Sequence, residues 1–424
     1  MDYLEIEGGR PLSGHVKIQG SKNAALPILS AALLNPGRTV LHGCPRIRDV
    51  ETMLEILQSL GCRTGWEGDI LWIEAGSLRS YTISKVLAEK MRSSITLLGS
   101  LLGRMGQARI PNPGGCVIGE RPIDLHVAGL QALGAEFQET PGRVQARCGE
   151  LTGADVSLRF PSVGATENLI LAAVLAKGTT RIYGAAREPE ITELCRFLNA
   201  MGARITGAGS SRIKITGVKQ LHDAEYTIAP DRIVAGTYLC AVAACGGEVV
   251  LENVPFSHMQ GIFPVFSRMG LTFGREAGHS LMVRAPERCR AVPSVQTAPY
   301  PGFPTDLQSP LLAALCRAKG TGSLTENVFE ARFKIVDELQ AMGAGIQIKG
   351  NTAVVEGRPL LKGCQLRAKE LRGGAALCIA AASAQGVSRI YDCQYIFRGY
   401  ENIIGDFKKL GIVVNYYTTT SRVI

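Results

Sequence analysis

Residues 56–65, ILQSLGCRTG, contain the pattern that decides the fold: an apolar helical stretch that ends in Leu-Gly and is followed by a short strand. Glycine directly after a helix supplies the left-handed residue that ends it. The pattern recurs as GLQALGAEF, FLNAMGARIT, VFSRMGLTF, ELQAMGAGIQI and DFKKLGIVV. Its glycines, spaced by 68 or 73 residues, are Gly61, Gly134, Gly202, Gly270, Gly343 and Gly411. Six copies at near-constant spacing predict an internal repeat.

A second pattern runs half a repeat out of phase, as in residues 28–43, ILSAALLNPGRTVLHG: a helix of small residues, a glycine and a β-branched strand. This helix class is apolar on all sides and is expected to be buried, whereas its partner carries polar residues such as Glu55 and Lys408 and is expected to be exposed. Three repeats around three buried helices make a closed domain, so six predict two similar α/β domains. We expect residues 22–230 to form one domain and residues 1–21 plus 231–424 the other. The first strand, residues 3–7, could complete the last repeat.

Composition argues against a nucleic-acid partner and against membrane insertion. The 424 residues are 46% hydrophobic and 20% charged, and the net charge of +9 is not gathered into a basic tail. Aromatic residues are only 6% and do not alternate with basic ones, so no stacking platform for bases is visible. None of the 12 cysteines forms a CxxC or pairs with histidine at zinc spacing. No apolar run approaches the ~18 residues of a membrane span, and a cytoplasmic location is predicted.

Residues 111–126, PNPGGCVIGERPIDLH, place Cys116 behind two glycines and a proline, where no regular helix or strand can run. A mobile Gly-rich loop that presents a thiol beside Arg121 is suited to act as a lid over an anionic ligand. The alternative is a tight surface turn with an incidental cysteine. The rest of the chain favours the lid, which we expect at about residues 111–121.

Most of the conspicuous polar residues lie where the six buried helices are expected to begin. If the helices of each domain run parallel, all six N-termini point into the cleft between the domains, where their free N–H groups would bind phosphates and carboxylates. One alternative is that the short polar residues are helix caps; these are Ser21, Asp231, Thr305 and Asp306. Another is that the cations Lys22, Arg92 and Arg372 are solvated helix ends. A cation at an N-terminus opposes the helix dipole, however, and its repetition favours a functional role.

With these features in hand, the chain resembles the UDP-N-acetylglucosamine 1-carboxyvinyltransferases, the MurA family of enolpyruvyl transferases, over essentially its whole length. The most specific motifs are GSKNAALPIL, MRSSITLLG, PGGCVIGERPIDLH, SVGATENLILAA, AAREPEI, GFPTDLQ, ENVFEARF and FRGYE. The resemblance implies two inside-out α/β barrels, each built from three βαβαββ-like repeats. It also implies transfer of the enolpyruvyl group of phosphoenolpyruvate to the 3-hydroxyl of UDP-N-acetylglucosamine, without a metal or organic cofactor. Neither the composition nor the resemblance indicates the oligomeric state.

The resemblance also assigns site residues. Cys116 matches the family's lid cysteine, a general acid toward phosphoenolpyruvate, and Asp306 matches a residue taken as base for the sugar hydroxyl or as a positioning group. Lys22, Arg121 and Arg398 match the cations around phosphate and carboxylate. The other matched substrate positions are Asn23, Arg92, Pro122, Ile123, Asp124, Leu125, Ser162, Val163, Gly164, Val328 and Arg372. Glu190 and Arg332 match the family pattern without an assigned role.

The chain departs from the family pattern near the expected cationic site. Glu370 stands where aspartate is common, Gly373 and Gly374 replace an Ala-Ser pair, and Phe397 replaces an acidic residue. The lid entry at residues 112–113 carries an extra proline. These changes bear on rate, lid motion and inhibitor response, but every matched catalytic residue is in place.

Three other functions stay open. A 5-enolpyruvylshikimate-3-phosphate synthase would share the fold and the Lys22-type helix start but would not need the PGGC lid. A catalytically retired UDP-sugar-binding paralogue is expected to have lost Cys116, Asp306, Lys22 or Arg398, all of which are present. An RNA cyclase of related repeat architecture would need a nucleophilic histidine, and near the lid only His126 qualifies, which we expect to be a packed or capping residue.

Overall fold

The computed structural model describes residues 2–112, 114, 118–119 and 121–418, so the predicted lid thiol of Cys116 lies outside the described residues. The described chain forms two compact units. The central unit consists of residues 20–112, 114 and 121–229, and the terminal unit of residues 2–19, 118–119 and 230–418. These divisions fall one or two residues before the boundaries expected from the sequence, and residues 118–119 group with the terminal unit.

The helices of both units follow one plan. In the central unit they are α1 (Lys22–Ala32), α2 (Arg48–Leu60), α3 (Lys85–Ala88), α4 (Leu97–Met105), α5 (Asp124–Ala132), α6 (Val163–Ala173) and α7 (Pro189–Ala200). In the terminal unit they are α8 (Arg232–Cys245), α9 (Phe263–Met269), α10 (Gln308–Leu315), α11 (Val336–Ala341), α12 (Leu371–Ser383) and α13 (Ile403–Lys409). Short 3-10 helices occupy Arg92–Thr96, Phe256–His258, Thr305–Leu307 and Cys393–Arg398. The first and third of these lead directly into α4 and α10.

The strands are short, as the many glycines predict. In chain order they are β1 (Tyr3–Gly8), β2 (Leu12–Lys17), β3 (Arg38–His42), β4 (Arg63–Glu67), β5 (Ile70–Glu74), β6 (Gln107–Pro111), β7 (Glu136–Thr140), β8 (Arg143–Arg147), β9 (Asp155–Ser157), β10 (Thr179–Tyr183), β11 (Arg204–Thr206) and β12 (Arg212–Thr216). They continue as β13 (Ala224–Thr227), β14 (Gly247–Glu252), β15 (Thr272–Arg275), β16 (Leu281–Ala285), β17 (Val295–Gln296), β18 (Thr321–Thr325), β19 (Gly345–Lys349), β20 (Thr352–Glu356), β21 (Gln365–Arg367), β22 (Gly386–Tyr391) and β23 (Val413–Tyr417).

Within the residues that the structure describes, six small sheets, three in each unit, confirm the predicted repeats. The terminal unit has the orders β15-β16-β14-β2, β17-β18-β20-β19 and β21-β22-β1-β23, and the central unit has β13-β3-β5-β4, β11-β12-β10-β9 and β6-β8-β7. Each four-stranded sheet contains one parallel pair. In the three-stranded sheet a single parallel bridge, Thr82 to Arg109, takes the place of that pair. As predicted, the first strand completes the last repeat, because β1 pairs antiparallel with both β22 and β23.

The buried helices and the glycine stops lie where the sequence placed them. The helices α1, α6, α8, α10 and α12 are almost wholly buried, and α4 is buried over residues 97–102. The six repeat glycines all have φ between +83° and +110° and directly follow or lie one residue beyond the helix end. A side chain in that left-handed region is strained, so glycine is the residue that ends these helices at low cost. Each repeat therefore turns at a fixed point from its exposed helix into its sheet.

Each unit has its own hydrophobic core, built mainly from the buried helices and the inner faces of the sheets. The helices α8, α10 and α12 pack against one another, and α4 packs against both α1 and α6. Cys195, Cys240 and Cys378 lie in these cores. Within the described part of the chain, no helix combines the length and the apolar character needed to cross a membrane.

Candidate active site

The predicted site residues fall into two sets, one in each unit. The central unit holds Lys22, Asn23, Arg92, residues 121–125 and residues 162–164, and the terminal unit holds Asp306, Val328, Arg372 and Arg398. Several of these residues lie at the starts of the buried helices of their own unit, namely Lys22, Asn23, Arg92, residues 162–164, Asp306 and Arg372, whereas residues 121–125, Val328 and Arg398 lie elsewhere.

In the central unit, the start of α1 carries a buried ion pair. Ser21 caps the helix by accepting a hydrogen bond from the Ala24 N–H at 3.3 Å. The next residue, Lys22, is only 8% exposed, and its Nζ lies 2.7 Å from Oδ2 of Asp49, in the first turn of α2. Lys22 is therefore not a solvated helix end. Asp49 was not identified from the sequence, since an acidic residue in a first helical turn has an ordinary capping explanation.

Two arginines lie close together: Arg92, which precedes α4, and Arg121, which precedes α5. Arg92, at the start of its 3-10 turn and half-buried, donates a hydrogen bond from Nη2 to the backbone carbonyl of Arg121. Burial and the positive charge of Arg121 together lower the pKa of Arg92 to about 10. Two like charges at one place raise the electrostatic energy of the empty protein, and a phosphate or carboxylate would relieve that repulsion. This arrangement fits an anion-binding surface.

The segment from Arg121 to Leu125 leads from this pair into α5. Pro122 and Asp124 are exposed, whereas Arg121, Ile123 and Leu125 are partly buried. The carboxylate of Asp124 lies 2.5 Å from Nη2 of Arg159, and the hydrogen bond from Arg159 is the main cause that lowers the pKa of Asp124. The described residues between Pro111 and Asp124 form no helix or strand.

The α6 start is organised around a buried histidine. Ser162 caps α6 by accepting from the Ala165 N–H at 3.3 Å, and a Cβ at Gly164 would lie only 3.0 Å from Cε1 of His126. The Gly99 N–H donates to Oδ1 of Asn168 at 2.6 Å, so the amide nitrogen of Asn168 faces Nδ1 of His126 at 2.8 Å. His126 consequently accepts at Nδ1 and carries its proton on Nε2. Burial and the charges of Arg92 and Arg121 lower the pKa of His126 to about 4, so this packed histidine is neutral.

Carboxyl groups also gather in the central unit. Glu167, in α6, and Glu190, in α7, are 6% and 4% exposed. Burial, followed by the negative charges of Glu190 and Glu188, raises the pKa of Glu167 to about 8. Near neutral pH this carboxyl group is therefore largely protonated. Glu190 matches the family pattern noted above, whereas Glu167 was not singled out from the sequence.

In the terminal unit, Asp306 is held between two buried arginines. Its Oδ1 lies 2.6 Å from Nη2 of Arg332, and its Oδ2 lies 3.0 Å from Nη2 and 3.3 Å from Nε of Arg372. Both arginine side chains are 3% exposed, whereas that of Asp306 is 26% exposed. The two arginines therefore hold the carboxylate in place, and part of the Asp306 side chain remains exposed. Asp306 is not a helix cap, and Arg372 is not a solvated helix end.

A tyrosine supports Arg372 from its other side. Tyr400 is 1% exposed, and its hydroxyl lies 3.3 Å from Nη1 of Arg372 and 2.8 Å from Oγ1 of Thr237 in α8. Burial opposes the charge of Arg372, but Asp306, Tyr400 and Asp231 together raise its pKa above the ordinary value. Arg372 therefore stays charged. Tyr400 belongs to the FRGYE motif, yet the sequence alone gave it no role, because its partners are far away in the chain.

The loop that carries Val328 is tied to the start of α10 by Glu326. One oxygen of this buried carboxylate accepts from the N–H groups of Val328 and Phe329 at 2.8 and 3.1 Å. The other accepts from the hydroxyl of Thr305 at 2.9 Å. Thr305 thus serves as a tether rather than as a helix cap. In contrast, Asp231 is a cap as the alternative interpretation held, since its Oδ1 accepts from the N–H groups of Ile233 and Val234.

Arg398 ends the 3-10 helix Cys393–Arg398 and is partly buried. The departures from the family pattern have direct packing explanations. The ring of Phe397 lies edge-on against Tyr416 at 5.5 Å. A Cβ at Gly374 would lie 2.7 Å from Cγ1 of Ile396, and Glu370 caps α12 by accepting from the N–H groups of Arg372 and Gly373.

Comparison with known proteins finds relatives that span nearly the whole chain. A family model described as EPSP synthase (3-phosphoshikimate 1-carboxyvinyltransferase) matches residues 6–407. UDP-N-acetylglucosamine 1-carboxyvinyltransferase 2 of Caldanaerobacter subterraneus subsp. tengcongensis is 45% identical over 97% of this chain and 98% of its own. UDP-N-acetylglucosamine 1-carboxyvinyltransferase 1 of Symbiobacterium thermophilum is 47% identical over 97% and 94%.

Solved structures share the fold at lower identity. The enolpyruvyl transferase NikO from Streptomyces tendae has a TM-score of 0.88 and 24% identity, with 99% of both chains covered. EPSP synthase from Acinetobacter baumannii has a TM-score of 0.74 and 18% identity, covering 99% of this chain and 100% of its own. Both likenesses confirm the predicted two-domain α/β architecture.

Proposed function

Since the chain belongs to the enolpyruvyl transferase family, and within it to the UDP-N-acetylglucosamine 1-carboxyvinyltransferases, we propose that it transfers the enolpyruvyl group of phosphoenolpyruvate to the 3-hydroxyl of UDP-N-acetylglucosamine. Phosphate is released. The geometric observation that carries this proposal is the half-open Asp306 carboxylate, held by Arg332 and Arg372. A fixed carboxylate with one exposed side is suited to accept a hydroxyl proton.

The reaction proceeds by addition and elimination. The sugar oxygen bonds to C2 of phosphoenolpyruvate, its proton passes to Asp306, and C3 receives a proton from the Cys116 thiol. The tetrahedral intermediate then loses a proton from C3 and expels phosphate, which restores the double bond. Lys22, Arg121 and Arg398 neutralise the phosphate and carboxylate charges, and arginine's fork suits a carboxylate.

Both residue sets are proposed to act on this one pair of substrates. The arginine pair at Arg92 and Arg121, the capped α6 start at residues 162–164 and the segment 121–125 would bind the nucleotide sugar. Val328 and Arg372 would bind next to the reacting hydroxyl. A reaction of this kind serves peptidoglycan synthesis, and we place it in the cytoplasm, where phosphoenolpyruvate is available. The protein would also be a fosfomycin target, through alkylation of Cys116.

A second candidate is favoured by the description of the matching family model, which names a 3-phosphoshikimate 1-carboxyvinyltransferase. Against it stand the relatives at 45–47% identity, compared with 18% for the EPSP synthase of known structure. The two activities differ in their acceptor, so one assay separates them.

The test is phosphate release from phosphoenolpyruvate with either UDP-N-acetylglucosamine or shikimate 3-phosphate, for the wild type and for Cys116→Ala. We expect release only with the nucleotide sugar and its loss in the variant. Release with shikimate 3-phosphate would establish the second candidate instead. Binding of the nucleotide sugar without any release would identify a catalytically retired paralogue.

A further inference from the structure

The start of α12 differs from the starts of the other capped buried helices in the length of the side chain that caps it. The caps of α1, α6 and α8 are Ser21, Ser162 and Asp231, whereas α12 is capped by Glu370. Asp231 uses one oxygen for both N–H groups, at 2.7 and 3.1 Å. Glu370 uses both of its oxygens: Oε2 accepts from the Arg372 N–H at 2.8 Å, and Oε1 accepts from the Gly373 N–H. The longer side chain thus folds back over the first turn of its helix.

The third residue of each helix varies with its cap. It is Ala24, Ala165 and Val234 behind the serine and aspartate caps, but Gly373 behind the glutamate cap. A Cβ at Gly373 would lie 2.7 Å from Oε1 of Glu370 and would also meet Cγ2 of Ile335. A Cβ does not lie this close to another heavy atom without displacement, so a side chain at position 373 would shift Ile335 and would press the Glu370 carboxylate away from its two N–H groups.

The helix turn that Glu370 caps is the turn that orients Arg372. The backbone N–H of Arg372 bonds to Glu370, while its guanidinium bonds to Asp306 and Tyr400. Glu370 is 5% exposed and Arg372 is 3% exposed, so there is little space into which a displaced group could relax. A shift of this turn would therefore move the guanidinium relative to the Asp306 carboxylate.

We propose that Glu370 and Gly373 form a coupled pair whose task is to position Arg372 against Asp306. Glu370 is the positioning residue, and Gly373, which has no side chain, leaves the space that the Glu370 carboxylate occupies. This inference rests on the proposed function, because it assigns the pair a role in the same reaction. It predicts that position 373 accepts a larger residue once the cap is shortened to the length of Asp231.

The experiment is a double-mutant cycle on the full chain, with kcat and KM for the phosphate-releasing reaction and the melting temperature as readouts. Glu370→Asp is expected to keep kcat within about threefold of wild type, since an aspartate cap can satisfy both N–H groups. Gly373→Ala is expected to lower kcat about 10–100-fold, with a smaller change in KM, because a misplaced group near the reacting atoms costs rate. The double variant Glu370→Asp, Gly373→Ala is expected to have a kcat at least about fivefold higher than the value that the product of the two single effects predicts. The contact between the new side chain at position 373 and Ile335 remains in the double variant, so the rescue is expected to be partial.

Gly374→Ala is the matched control. Its Cβ would meet Cγ1 of Ile396 at 2.7 Å and Cβ of Ala368 at 3.3 Å, with no contact to Glu370 among its nearest atoms. Glu370→Asp should therefore fail to rescue it. If Gly373→Ala does not fold, recovery of soluble protein by Glu370→Asp, and its failure for Gly374→Ala, tests the same coupling.

The outcomes separate the two proposals. An inactive wild type with UDP-N-acetylglucosamine and phosphoenolpyruvate would overturn the proposed function. If the wild type is active and kcat of the double variant lies within about twofold of the product of the two single effects, the coupled pair alone is overturned. A rescue equal for both glycines would likewise contradict the pair, since it would show a general effect of the shorter cap.

Discussion

The polar set of the terminal unit places opposite charges against each other, whereas that of the central unit also places like charges side by side. Asp306 lies between Arg332 and Arg372 in the terminal unit. In the central unit, burial and then the charge of Arg121 lower the pKa of Arg92, and burial and then the charges of Glu190 and Glu188 raise the pKa of Glu167. The central unit contains ion pairs as well, between Lys22 and Asp49 and between Asp124 and Arg159.

This difference indicates a division of tasks. Opposite charges in contact fix a geometry, which is what a proton-accepting carboxylate needs. Like charges in proximity cost folding free energy, and such a cost is characteristic of places where a ligand of opposite charge binds. The Asp306 carboxylate of the terminal set is thus suited to accept the hydroxyl proton, and the central arginines are suited to anion binding.

The largest expected effect is on stability and concerns Asp306. Asp306→Ala leaves Arg332 and Arg372 buried without their carboxylate, and the free energy of unfolding should fall by about 3–5 kcal/mol. Urea unfolding measures it. The control is Glu67→Ala in the central unit, whose exposed ion pair with Arg38 should contribute no more than about 1 kcal/mol. Equal losses for both variants would remove the basis of the comparison.

The next effect concerns the like charges around Glu167 and depends on pH. An unfolded glutamate ionises near 4.5, whereas the pKa of Glu167 in the fold is about 8, so wild-type stability falls as the pH rises between these values. Glu167→Gln has no proton to lose. It should gain stability over wild type across this window, with each pKa unit corresponding to about 1.4 kcal/mol, and the gain should level off above pH 8.

Thermal unfolding of Glu167→Gln at pH 5 and pH 8.5 tests that slope. Glu193→Gln is the matched control, because Glu193, in α7, is buried as Glu167 is. Unlike Glu167, it accepts a hydrogen bond from Tyr226 at 2.9 Å and pairs with Arg196 at 3.0 Å. It should destabilise the protein. A gain in stability for Glu193→Gln as well would show that burial alone, rather than like charge, sets the effect.

Arg92→Ala should separate binding from stability. The variant loses a hydrogen bond to Arg121 but also relieves a repulsion, so the free energy of unfolding should stay within about 1 kcal/mol of wild type. The proposed charge-assisted contact of Arg92 to a phosphate of the nucleotide would also be lost, so KM for UDP-N-acetylglucosamine should rise about tenfold or more. Urea unfolding and steady-state kinetics measure the two quantities. A large loss of stability would place Arg92 among the structural ion pairs instead.

The smallest expected effect concerns Tyr400. Tyr400→Phe removes a hydroxyl that contacts Arg372 and Thr237 but keeps the ring, and should destabilise the protein by about 1 kcal/mol. Because the hydroxyl supports Arg372, kcat should fall a few-fold with KM little changed. Thr237→Val, which removes only the other partner of this hydroxyl, provides the control for kcat. A change in KM alone would contradict a supporting role for Tyr400.

The sequence predicted the features that repeat along the chain. The glycine stops, the six buried helices and the completion of the last sheet by β1 follow from patterns that six copies reinforce. Departures from regularity were not predicted, such as the three-stranded sheet that has only the bridge at Thr82 in place of a fourth strand.

Contacts between distant residues account for most of what sequence analysis missed at the site. Lys22 was identified, but its partner Asp49 was not, and Arg372 was identified without Tyr400. A helix start alone did not distinguish a cap from a site residue: Asp231 is a cap, whereas Asp306 is held by arginines from elsewhere in its unit. Only the three-dimensional structure brings such partners together.

The division of tasks is tested most directly by measuring binding and turnover in the same variants. Calorimetry gives the Kd of UDP-N-acetylglucosamine, and phosphate release gives kcat, for Asp306→Asn and Arg92→Ala. We predict that Asp306→Asn keeps Kd within about threefold and lowers kcat about 10²–10⁴-fold, the usual range for a lost general base. Arg92→Ala should weaken binding at least about tenfold and keep most of the saturated rate. If Asp306→Asn instead loses binding as Arg92→Ala does while its saturated rate persists, the assignment of chemistry to the terminal set is wrong.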